Sequence, residues 1–269
     1  MIKTAVAQPK KVEVRDTSNR RQRVSAMLRD QGSVQVQTLA EMFQVTTQTI
    51  RKDLLFLERR GVATRSYGGA ISAQAVGITP EAGVEAKKLN RASEKERIGR
   101  MAAALVEPGD SIVLDSGTTT AQIARFLPDT DEITVVTNDF GVLQELVQKS
   151  KLNIIMLGGA LRRKNMAFYG SLTETAMAGL LVDKFFLGVD GYHLEHGITT
   201  HYESEAHLNR MMAKMASQVI AVTDGSKFGK RCLHRVIGLN DIDVLITDSG
   251  APQAMLDTTA SVGAKLMTA

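Results

Sequence analysis

Two kinds of hydrophobic spacing divide the chain into a short helical region and a longer mixed region. Between residues 20 and 61, apolar side chains recur at intervals of three and four, which is the spacing of one helix face. From residue 93 onward, short apolar runs rich in β-branched residues alternate with helical patterns. Such runs indicate strands of a parallel sheet that is covered on both faces. The pattern therefore predicts an α/β chain with a helical N-terminal domain and a mostly parallel sheet domain after it.

The predicted domain boundaries follow changes in composition. Residues 1–18 lack periodicity and carry Lys, Pro and Ser, so we expect a disordered basic tail. Residues 19–75 form the predicted helical domain. Residues 76–92 are rich in Ala, Gly and polar residues, which predicts a linker, and residues 93–269 form the second domain.

The N-terminal pattern predicts three short helices. The first starts at Arg20 and ends at Gln31, and the second leads into a tight turn at Gln44-Val45. Thr46 is a good N-cap for the third helix, which ends at Gly61. The core-facing residues of the three helices are, in order, Val24, Met27, Leu28; Leu39, Ala40, Phe43; and Ile50, Leu54, Leu57.

Two short helices joined by a tight turn are typical of a helix-turn-helix motif. The outer face of the third helix offers hydroxyls, an amide and two cations, which suit base edges and phosphates in a major groove. Residues 62–71 predict a β-hairpin, and hence a wing. A three-helix packing unit without a DNA role is the alternative. The candidate DNA-binding residues are Thr46, Thr47, Gln48, Thr49, Arg51, Lys52, Arg65 and Tyr67.

The charge distribution agrees with a polyanion-binding N-terminal domain. Residues 1–75 contain 13 Lys and Arg and 6 Asp and Glu, a net charge of +7, although the whole chain carries only +4. The remaining residues therefore carry a net charge of −3. A basic region on a mildly acidic body is typical of a nucleic-acid-binding module joined to another function.

Composition excludes several other classes of protein. No stretch approaches the roughly 18 apolar residues of a membrane span, and the N-terminus lacks the apolar core of a secretory signal. A single cysteine, Cys232, forms no intramolecular disulfide and no cysteine-rich zinc site. We therefore expect a cytoplasmic protein. The absence of Trp and the 4% aromatic content argue against stacking platforms for single-stranded nucleic acid.

The second domain alternates predicted strands and helices. The helical stretches are 93–106, 119–127, 140–150, 172–181 and 204–216. The predicted strands are Ile112–Leu114, Ile133–Thr137, Ile154–Leu157, Phe185–Val189, Val219–Thr223, Val244–Thr247 and Ala264–Met267. Ligands of such sheets bind at the carboxyl ends of the strands.

The loops that follow these strands carry the candidate ligand-binding residues. A Gly/Thr-rich turn from a strand into a helix offers hydroxyls and free N–H groups, which can hold a phosphate, although such a turn is also a common capping loop. Lys227 is a candidate cation and Asp190 a candidate acceptor for sugar hydroxyls. The full set is Asp115, Ser116, Gly117, Thr118, Thr119, Thr120, Asn138, Gly158, Gly159, Asp190, Gly191, Glu205 and Lys227.

A metal site is not predicted. His201, Glu203, Glu205 and His207 lie within seven residues, but acids in the first turn of a helix are favoured by the helix dipole. The cluster is instead a candidate pocket wall that contacts sugar hydroxyls. We expect no metal, no cofactor and no catalytic residue.

Motifs in both domains resemble the DeoR family of bacterial sugar-operon regulators. In the N-terminal domain they are GSV, TIRKDL, LERRG and YGGA; in the second domain they are DSGTTT, TN, GG, GVDG and DGSKF, in that order. Tyr67 stands where the family usually has His, and Gly225 where it more often has Ser. The segment GITTHYESEAHLNRMM resembles the branch that regulates N-acetylgalactosamine and other amino-sugar catabolism.

The resemblance implies a winged helix-turn-helix and a sensor domain similar in fold to ribose-5-phosphate isomerase. It also implies a phosphate on Ser116–Thr120, with Asp190 and Lys227 nearby. We therefore expect a repressor that binds double-stranded operator DNA as a homodimer or homotetramer and responds to a phosphorylated sugar as inducer or co-repressor. A sugar-phosphate isomerase with an accessory DNA-binding domain is the alternative. A role as a nucleoid-type structural protein is disfavoured, because it does not explain the second domain.

Overall fold

The computed structural model describes residues 17–31, 33–60, 62–66, 68–72 and 81–269. The chain divides into two compact units, Met1–Pro80 and Glu81–Ala269. The division falls inside the predicted linker at 76–92, but the later part of that segment is helical and belongs to the second unit. Most of the predicted tail lies outside the described residues, and its last two residues, Thr17 and Ser18, already belong to the first helix.

The N-terminal unit contains three helices and a small antiparallel sheet. Its elements are α1 (Thr17–Gln31), β1 (Ser33–Gln35), α2 (Val36–Phe43), α3 (Thr47–Arg59), β2 (Ala63–Ser66) and β3 (Gly69–Ser72). The strands pair in the order β1-β3-β2. The predicted core residues of the three helices are buried, with Met27 partly so. The turn between α2 and α3 places Gln44 in the left-handed region, with φ 51°.

A buried ion-pair cluster holds α1 against α3. The Arg20 Nε lies 2.6 Å from Asp53 Oδ2, and the Arg21 Nε lies 2.7 Å from Asp53 Oδ1. Arg20 and Asp53 are almost inaccessible to solvent. Because removing one partner leaves an uncompensated buried charge, this cluster fixes the orientation of α3 from the side opposite its exposed face.

The second unit is built on a seven-stranded sheet. Its helices are α4 (Val84–Leu89), α5 (Ala92–Ala103), α6 (Thr118–Phe126), α7 (Phe140–Leu146), α8 (Ser171–Met177), α9 (Glu203–Met215) and α10 (Gln253–Ser261). Its strands are β4 (Ser111–Leu114), β5 (Thr134–Thr137), β6 (Asn153–Met156), β7 (Ala160–Arg162), β8 (Ala167–Tyr169), β9 (Val182–Gly188), β10 (Gly191–His193), β11 (Gly197–Thr200), β12 (Ala216–Val222), β13 (His234–Ile237), β14 (Val244–Thr247) and β15 (Lys265–Thr268).

The seven strands predicted from the sequence form this sheet, in the order β15-β14-β12-β9-β4-β5-β6, and every neighbouring pair is parallel. Successive residues contribute to opposite faces: Phe185 and Leu187 belong to one hydrophobic cluster and Phe186 to the other. The predicted α/β class with a helix-turn-helix at its N-terminus is confirmed. Among the described residues, no helix is long and apolar enough to cross a membrane.

Several short elements are absent from the sequence prediction. They are α4, α10, the β7–β8 hairpin and the small antiparallel sheet β10-β11-β13. Their strands have three or four residues, too few for a clear alternation of apolar and polar positions. They lie around the sheet rather than within it, and they shape the space above its carboxyl edge.

Candidate functional site

The start of α3 is closed by its own side chains. Thr46 is the N-cap, and its Oγ1 accepts a hydrogen bond from the Thr49 N–H at 3.1 Å. The two hydroxyl oxygens lie 2.9 Å apart. Both residues are predicted DNA contacts, and in the structure both have local partners that fix the first turn of the helix.

The outward side of α3 presents groups suited to a DNA duplex. Thr47 is half-buried, and the side chain of Arg65 and the whole of Tyr67 lie outside the described residues. Three other predicted DNA contacts on this helix are exposed, and their side chains bond to no described residue. One amide and two cations are therefore free to contact base edges or phosphates. These exposed residues are Gln48, Arg51 and Lys52.

A second site lies in the second unit, at the carboxyl ends of β4 and β9. These strands are neighbours, yet the chain proceeds from β4 toward β5 and β6, and from β9 toward β12 and β14. The strand order therefore reverses between them, and a crevice opens at this point, as is usual for ligand sites of open α/β sheets. The predicted residues that line the crevice are Ser116, Gly117, Thr118, Thr119, Asp190, Glu205 and Lys227.

The helix α6 enters the crevice without a side-chain cap. Its N-cap is Gly117, with φ 152°, so the N-cap itself has no side chain to accept from the first turn; the Asp139 carboxyl accepts from the Gly117 N–H. The N–H groups of the first turn have no intrahelical partner, and no described residue supplies an acceptor to those of Thr118 and Thr119. Free N–H groups at the positive end of a helix dipole form an anion site.

Three lysines line the crevice, and two of them, Lys87 and Lys227, differ in their partners. The Lys87 Nζ donates to Asp190 Oδ1 at 2.6 Å, whereas the Lys227 ammonium bonds to no described residue. Burial alone lowers the pKa of Lys87, but the carboxylates of Asp190 and Glu205 raise it above its ordinary value. Lys87 is therefore a charged, paired cation and Lys227 an unpaired one.

The two carboxyls of the crevice differ in protonation. Burial alone raises the pKa of Asp190, but Lys87, His201 and Lys227 together lower it well below its ordinary value. Burial, and then the charge of Asp190, raises the pKa of Glu205 to about 7. Asp190 is therefore an anion near neutrality, whereas Glu205 is divided between its acid and its carboxylate.

A hydrogen-bond network holds Glu205 and leaves one acceptor open. Thr200 Oγ1 donates to Glu205 Oε1 at 2.8 Å, and Asn165 Nδ2 donates to Tyr169 Oη at 2.6 Å. Tyr169 Oη lies 3.1 Å from Ser116 Oγ. Asn165 Oδ1 is buried and has no hydrogen-bond partner among the described residues. The crevice thus contains an unsatisfied acceptor on its wall.

The remaining predicted ligand residues do not line the crevice. Asp115 and Thr120 stabilise its loop: the Asp115 carboxylate accepts from the Ser116 and Gly188 N–H groups, and Thr120 Oγ1 donates to the Gly117 carbonyl. Gly191 is packed within β10, where a Cβ would lie 2.6 Å from Thr199 Oγ1.

Asn138, Gly158 and Gly159 lie at the ends of β5 and β6, farther from the reversal of strand order. The β7–β8 hairpin covers this region, since Asn138 Nδ2 donates to the Phe168 carbonyl at 2.9 Å. The Gly158 carbonyl accepts from Thr173 Oγ1 at 2.7 Å. Their prediction as pocket residues is therefore not supported by their position: they attach the hairpin and α8 to the sheet.

Sequence reasoning missed three polar side chains that line the crevice: Lys87, Lys95 and Asn165. Lys95 is buried, and its Nζ donates to the carbonyls of Lys87 and Asn90. Burial lowers the pKa of Lys95 to about 8. The only signal for Lys87 was a Lys-Lys pair in a segment that looks like a linker, and nothing local marks Asn165.

The polar residues near the start of α9 have separate partners. His201 Nε2 lies 3.4 Å from the Cys232 Sγ, and His207 Nε2 lies 3.9 Å from a Glu174 oxygen. Burial lowers the pKa of His201 to about 4 and raises the pKa of Cys232 to about 12, so the contact is between a neutral imidazole and a thiol. Glu203 is exposed.

One other histidine cluster is present in the described part of the chain. Ligand atoms of His193, Glu195 and His196 lie within 4.8 Å of one another at the β10–β11 turn. Arg231 Nη1 lies 3.2 Å from His196 Nε2, so a cation lies beside this cluster.

Comparison with known proteins identifies both units. Residues 20–76 match the DeoR-like helix-turn-helix domain, and residues 90–249 match the DeoR C-terminal sensor domain. A candidate aga operon transcriptional repressor of Escherichia coli O157:H7 is 40% identical over 94% of this chain and 94% of its own length. The transcriptional repressor GlcR of Bacillus subtilis is 34% identical over 89% of this chain and 92% of its own.

Solved structures show only distant similarity. The full-length sorbitol operon regulator SorC of Klebsiella pneumoniae is 12% identical, covers 93% of this chain and 100% of its own, and has a TM-score of 0.39. Ribose 5-phosphate isomerase A of Methanocaldococcus jannaschii is 17% identical, covers 50% of this chain and 53% of its own, and has a TM-score of 0.37. Family membership therefore rests on the two domain matches and the curated relatives: the chain belongs to the DeoR family of transcriptional regulators.

Proposed function

We propose that this chain is a transcriptional repressor of a sugar or amino-sugar catabolic operon, and that a phosphorylated sugar in the β4/β9 crevice modulates its binding to operator DNA. The DNA contacts are assigned to the exposed face of α3. The effector contacts are assigned to the open end of α6 and to the side chains around it.

The observation that carries this proposal is the uncapped start of α6 beside an unpaired lysine. The N–H groups of Thr118 and Thr119 have no acceptor among the described residues, and Lys227 lines the same crevice without a partner there. A phosphate supplies oxygens to both and neutralises the charge. An uncharged ligand leaves the lysine unpaired.

The opposite wall of the crevice suits a hydroxylated ligand. Asp190 and Glu205 offer carboxylate oxygens, and Asn165 Oδ1 is a buried acceptor without a partner among the described residues. Sugar hydroxyls, or the amine or amide N–H of an amino sugar, donate to such acceptors. The 40% identical relative is named for the aga operon, which favours the amino-sugar branch for this chain as well.

We assign the active form to a homodimer or homotetramer. Helix-turn-helix proteins read half-sites one turn of DNA apart, so operators that are symmetric call for symmetric proteins. The site of action is then the bacterial cytoplasm, at the chromosome, and no enzymatic turnover is required for control.

A second candidate function is isomerisation of the bound sugar phosphate. The observation that favours it is Glu205, a buried carboxyl with a pKa of about 7, which is the range expected of a general base. The test is direct: incubation of the protein with hexose, pentose and amino-sugar phosphates, followed by NMR of the sugar carbons. Conversion at a catalytic rate supports the enzyme, and an unchanged spectrum supports the repressor.

The repressor is tested by fluorescence anisotropy with the DNA upstream of its own gene. Titrations at several salt concentrations, with unrelated DNA as competitor, separate sequence-specific binding from phosphate contacts alone. Each is repeated with galactosamine 6-phosphate, N-acetylgalactosamine 6-phosphate, glucose 6-phosphate and ribose 5-phosphate. We expect one sugar phosphate to change operator affinity about 10-fold or more. Equal binding to all DNA, or no response to any sugar phosphate, contradicts the proposal.

A further inference from the structure

The segment from Glu81 to Arg91 begins the second unit and follows directly on the chain of the DNA-binding unit. We call it the strap. Its only regular element is α4, a helix of six residues. Within α4, all of whose residues are described, no apolar side chain is fully buried, and Leu89 is 85% exposed. A helix this short is unstable by itself, and without apolar burial its position depends on polar contacts.

The first of these contacts lies at the start of the strap. Both oxygens of Glu81 accept hydrogen bonds from Arg162, at 2.6 and 2.5 Å, and the Lys164 Nζ lies 3.2 Å from Glu81. The Val84 N–H donates to the Lys164 carbonyl at 3.1 Å. The β7–β8 hairpin therefore fixes one end of the strap by charge-assisted bonds.

The second contact lies inside the effector crevice. The Lys87 Nζ is bonded to Asp190 Oδ1 at 2.6 Å, and Lys95 donates to the carbonyls of Lys87 and Asn90. The ion pair is largely buried, with 18% and 11% of the two side chains exposed. The strap is thus held by one of the residues to which the effector is assigned.

An effector and the strap compete for the same charges. A sugar hydroxyl that donates to Asp190 takes the acceptor that Lys87 uses. A phosphate at the start of α6 attracts the Lys87 ammonium, which lines the same crevice. Both effects weaken the bond between Lys87 and Asp190, and the remaining bonds of the strap, to the β7–β8 hairpin and to Lys95, lie outside this ion pair.

We propose that the Lys87–Asp190 ion pair is a latch that docks the strap when the crevice is empty, and that effector binding releases it. The idea rests on the proposed function. The chain of the strap continues into the DNA-binding unit. The affinity of that unit for the operator therefore differs between the docked and the released strap. The effector then controls DNA binding through its different affinities for the two states.

The first test uses Lys87→Met, which keeps the length of the side chain and removes its charge. Lys88→Met is the matched control, because Lys88 is exposed and, among the described residues, forms its ion pair with Glu85 on the same helix. Operator affinity of the full-length protein is measured with and without the sugar phosphate that acts on the wild type. We expect the ratio of the two affinities to fall to about one in Lys87→Met and to stay at the wild-type value in Lys88→Met. An unchanged ratio in Lys87→Met overturns the latch.

Glu81→Gln separates the latch from effector binding, because Glu81 is not in the crevice. Weakening its bonds to Arg162 favours the released strap. We expect calorimetry to give an effector affinity equal to or tighter than that of the wild type. The operator affinity of the effector-free variant should shift toward the value of the effector-bound wild type. A Glu81→Gln variant whose operator affinities match the wild type in both states contradicts the latch.

Hydrogen exchange tests the latch without DNA. Inorganic phosphate at saturating concentration should speed exchange of the amides of residues 84–90 in the wild type, and these amides should already exchange fast in Lys87→Met. Unchanged protection in the β9 and β12 amides shows that the variant is folded. If no sugar phosphate changes operator binding, the proposed function fails, and this measurement still decides the latch. Protection of residues 84–90 that phosphate leaves unaltered overturns it.

Discussion

The helices α3 and α6 both begin with threonines, yet the two helix starts expose different chemistry. In α3 the N-cap is Thr46, whose hydroxyl accepts from the Thr49 N–H, so a side chain caps one N–H of the first turn and the exposed groups of the helix are side chains. In α6 the N-cap is Gly117, which has no side chain, so the backbone N–H groups stay open in a crevice. A closed helix start presents side chains, which can distinguish bases, whereas an open one presents N–H groups, which bind an anion. The N-cap residue, Thr46 in α3 and Gly117 in α6, determines which of these groups the helix start presents.

The largest effect is expected when a negative charge is placed at the open start of α6. In Thr118→Glu a carboxylate occupies the position assigned to the phosphate, and repulsion together with lost N–H contacts should weaken sugar-phosphate binding about 100-fold. Calorimetry measures the affinity, and anisotropy should show operator binding that no longer responds to effector. Thr175→Glu, on the exposed side of α8, is the control. A normal response in Thr118→Glu shows that the phosphate lies elsewhere.

The second prediction concerns the outward face of α3. Arg51→Ala removes an exposed cation, and loss of one base or phosphate contact should lower operator affinity about 10-fold. Effector affinity by calorimetry should be unchanged, because Arg51 belongs to the other unit. Arg97→Ala removes an exposed arginine from the second unit and should leave operator affinity intact. Equal loss of DNA and effector binding in Arg51→Ala indicates misfolding and refutes the assignment.

A smaller effect is expected when α3 loses its cap. Thr46→Ala removes the hydroxyl that accepts from Thr49, and such losses cost about 1 kcal/mol. Hydrogen exchange of the α3 amides measures this cost within the N-terminal unit. Thr46→Ser retains the hydroxyl and should exchange like the wild type. If the two variants exchange alike, the cap does not stabilise the helix.

The smallest effect is a change in how stability depends on pH. Burial raises the pKa of Glu205 from 4.5 to about 7 in the folded chain, so the folded state holds its proton more tightly. The stabilisation is complete below pH 4.5 and is lost as the pH rises to about 7. Asp190, Lys87, Thr200 and Asn165 surround this carboxyl.

Urea midpoints at pH 5 and pH 8 measure this dependence. In Glu205→Gln the drop in midpoint between the two pH values should be smaller than in the wild type. Burial also raises the pKa of Asp139 to about 7. This carboxyl therefore lowers the urea midpoint between pH 5 and pH 8 in both proteins. The comparison between wild type and variant therefore reports Glu205 together with its effect on the pKa of Asp115, and equal drops contradict the assignment.

The elements that the sequence predicts well are those with strong local signals. Each strand of the seven-stranded sheet is an apolar run between polar loops, and the cap and core face of α3 lie within fifteen residues. The residues that the prediction missed approach the crevice from distant parts of the chain. Lys87 and Asp190 are 103 positions apart, and no local pattern joins them.

The sequence analysis also assigned to the pocket some residues that lie elsewhere in the structure, and the reason is related. All carboxyl ends of a parallel sheet share one edge, so sequence reasoning groups every loop there into one site. In the structure the loops after β4, β9 and β12 reach the crevice, whereas the loops after β5 and β6 do not. Asn138 and Gly158 follow β5 and β6, where the unpredicted β7–β8 hairpin occupies the space.

The pairing of β4 with β9 also governs the order in which the nascent chain acquires its functions. The N-terminal unit is built from neighbouring helices and a small sheet whose last strand ends at Ser72, so its contacts form once about seventy residues have left the ribosome. The crevice needs β9, which ends at Gly188, and no earlier strand replaces it. During each round of synthesis, the helix-turn-helix domain therefore emerges before the sensor domain is complete.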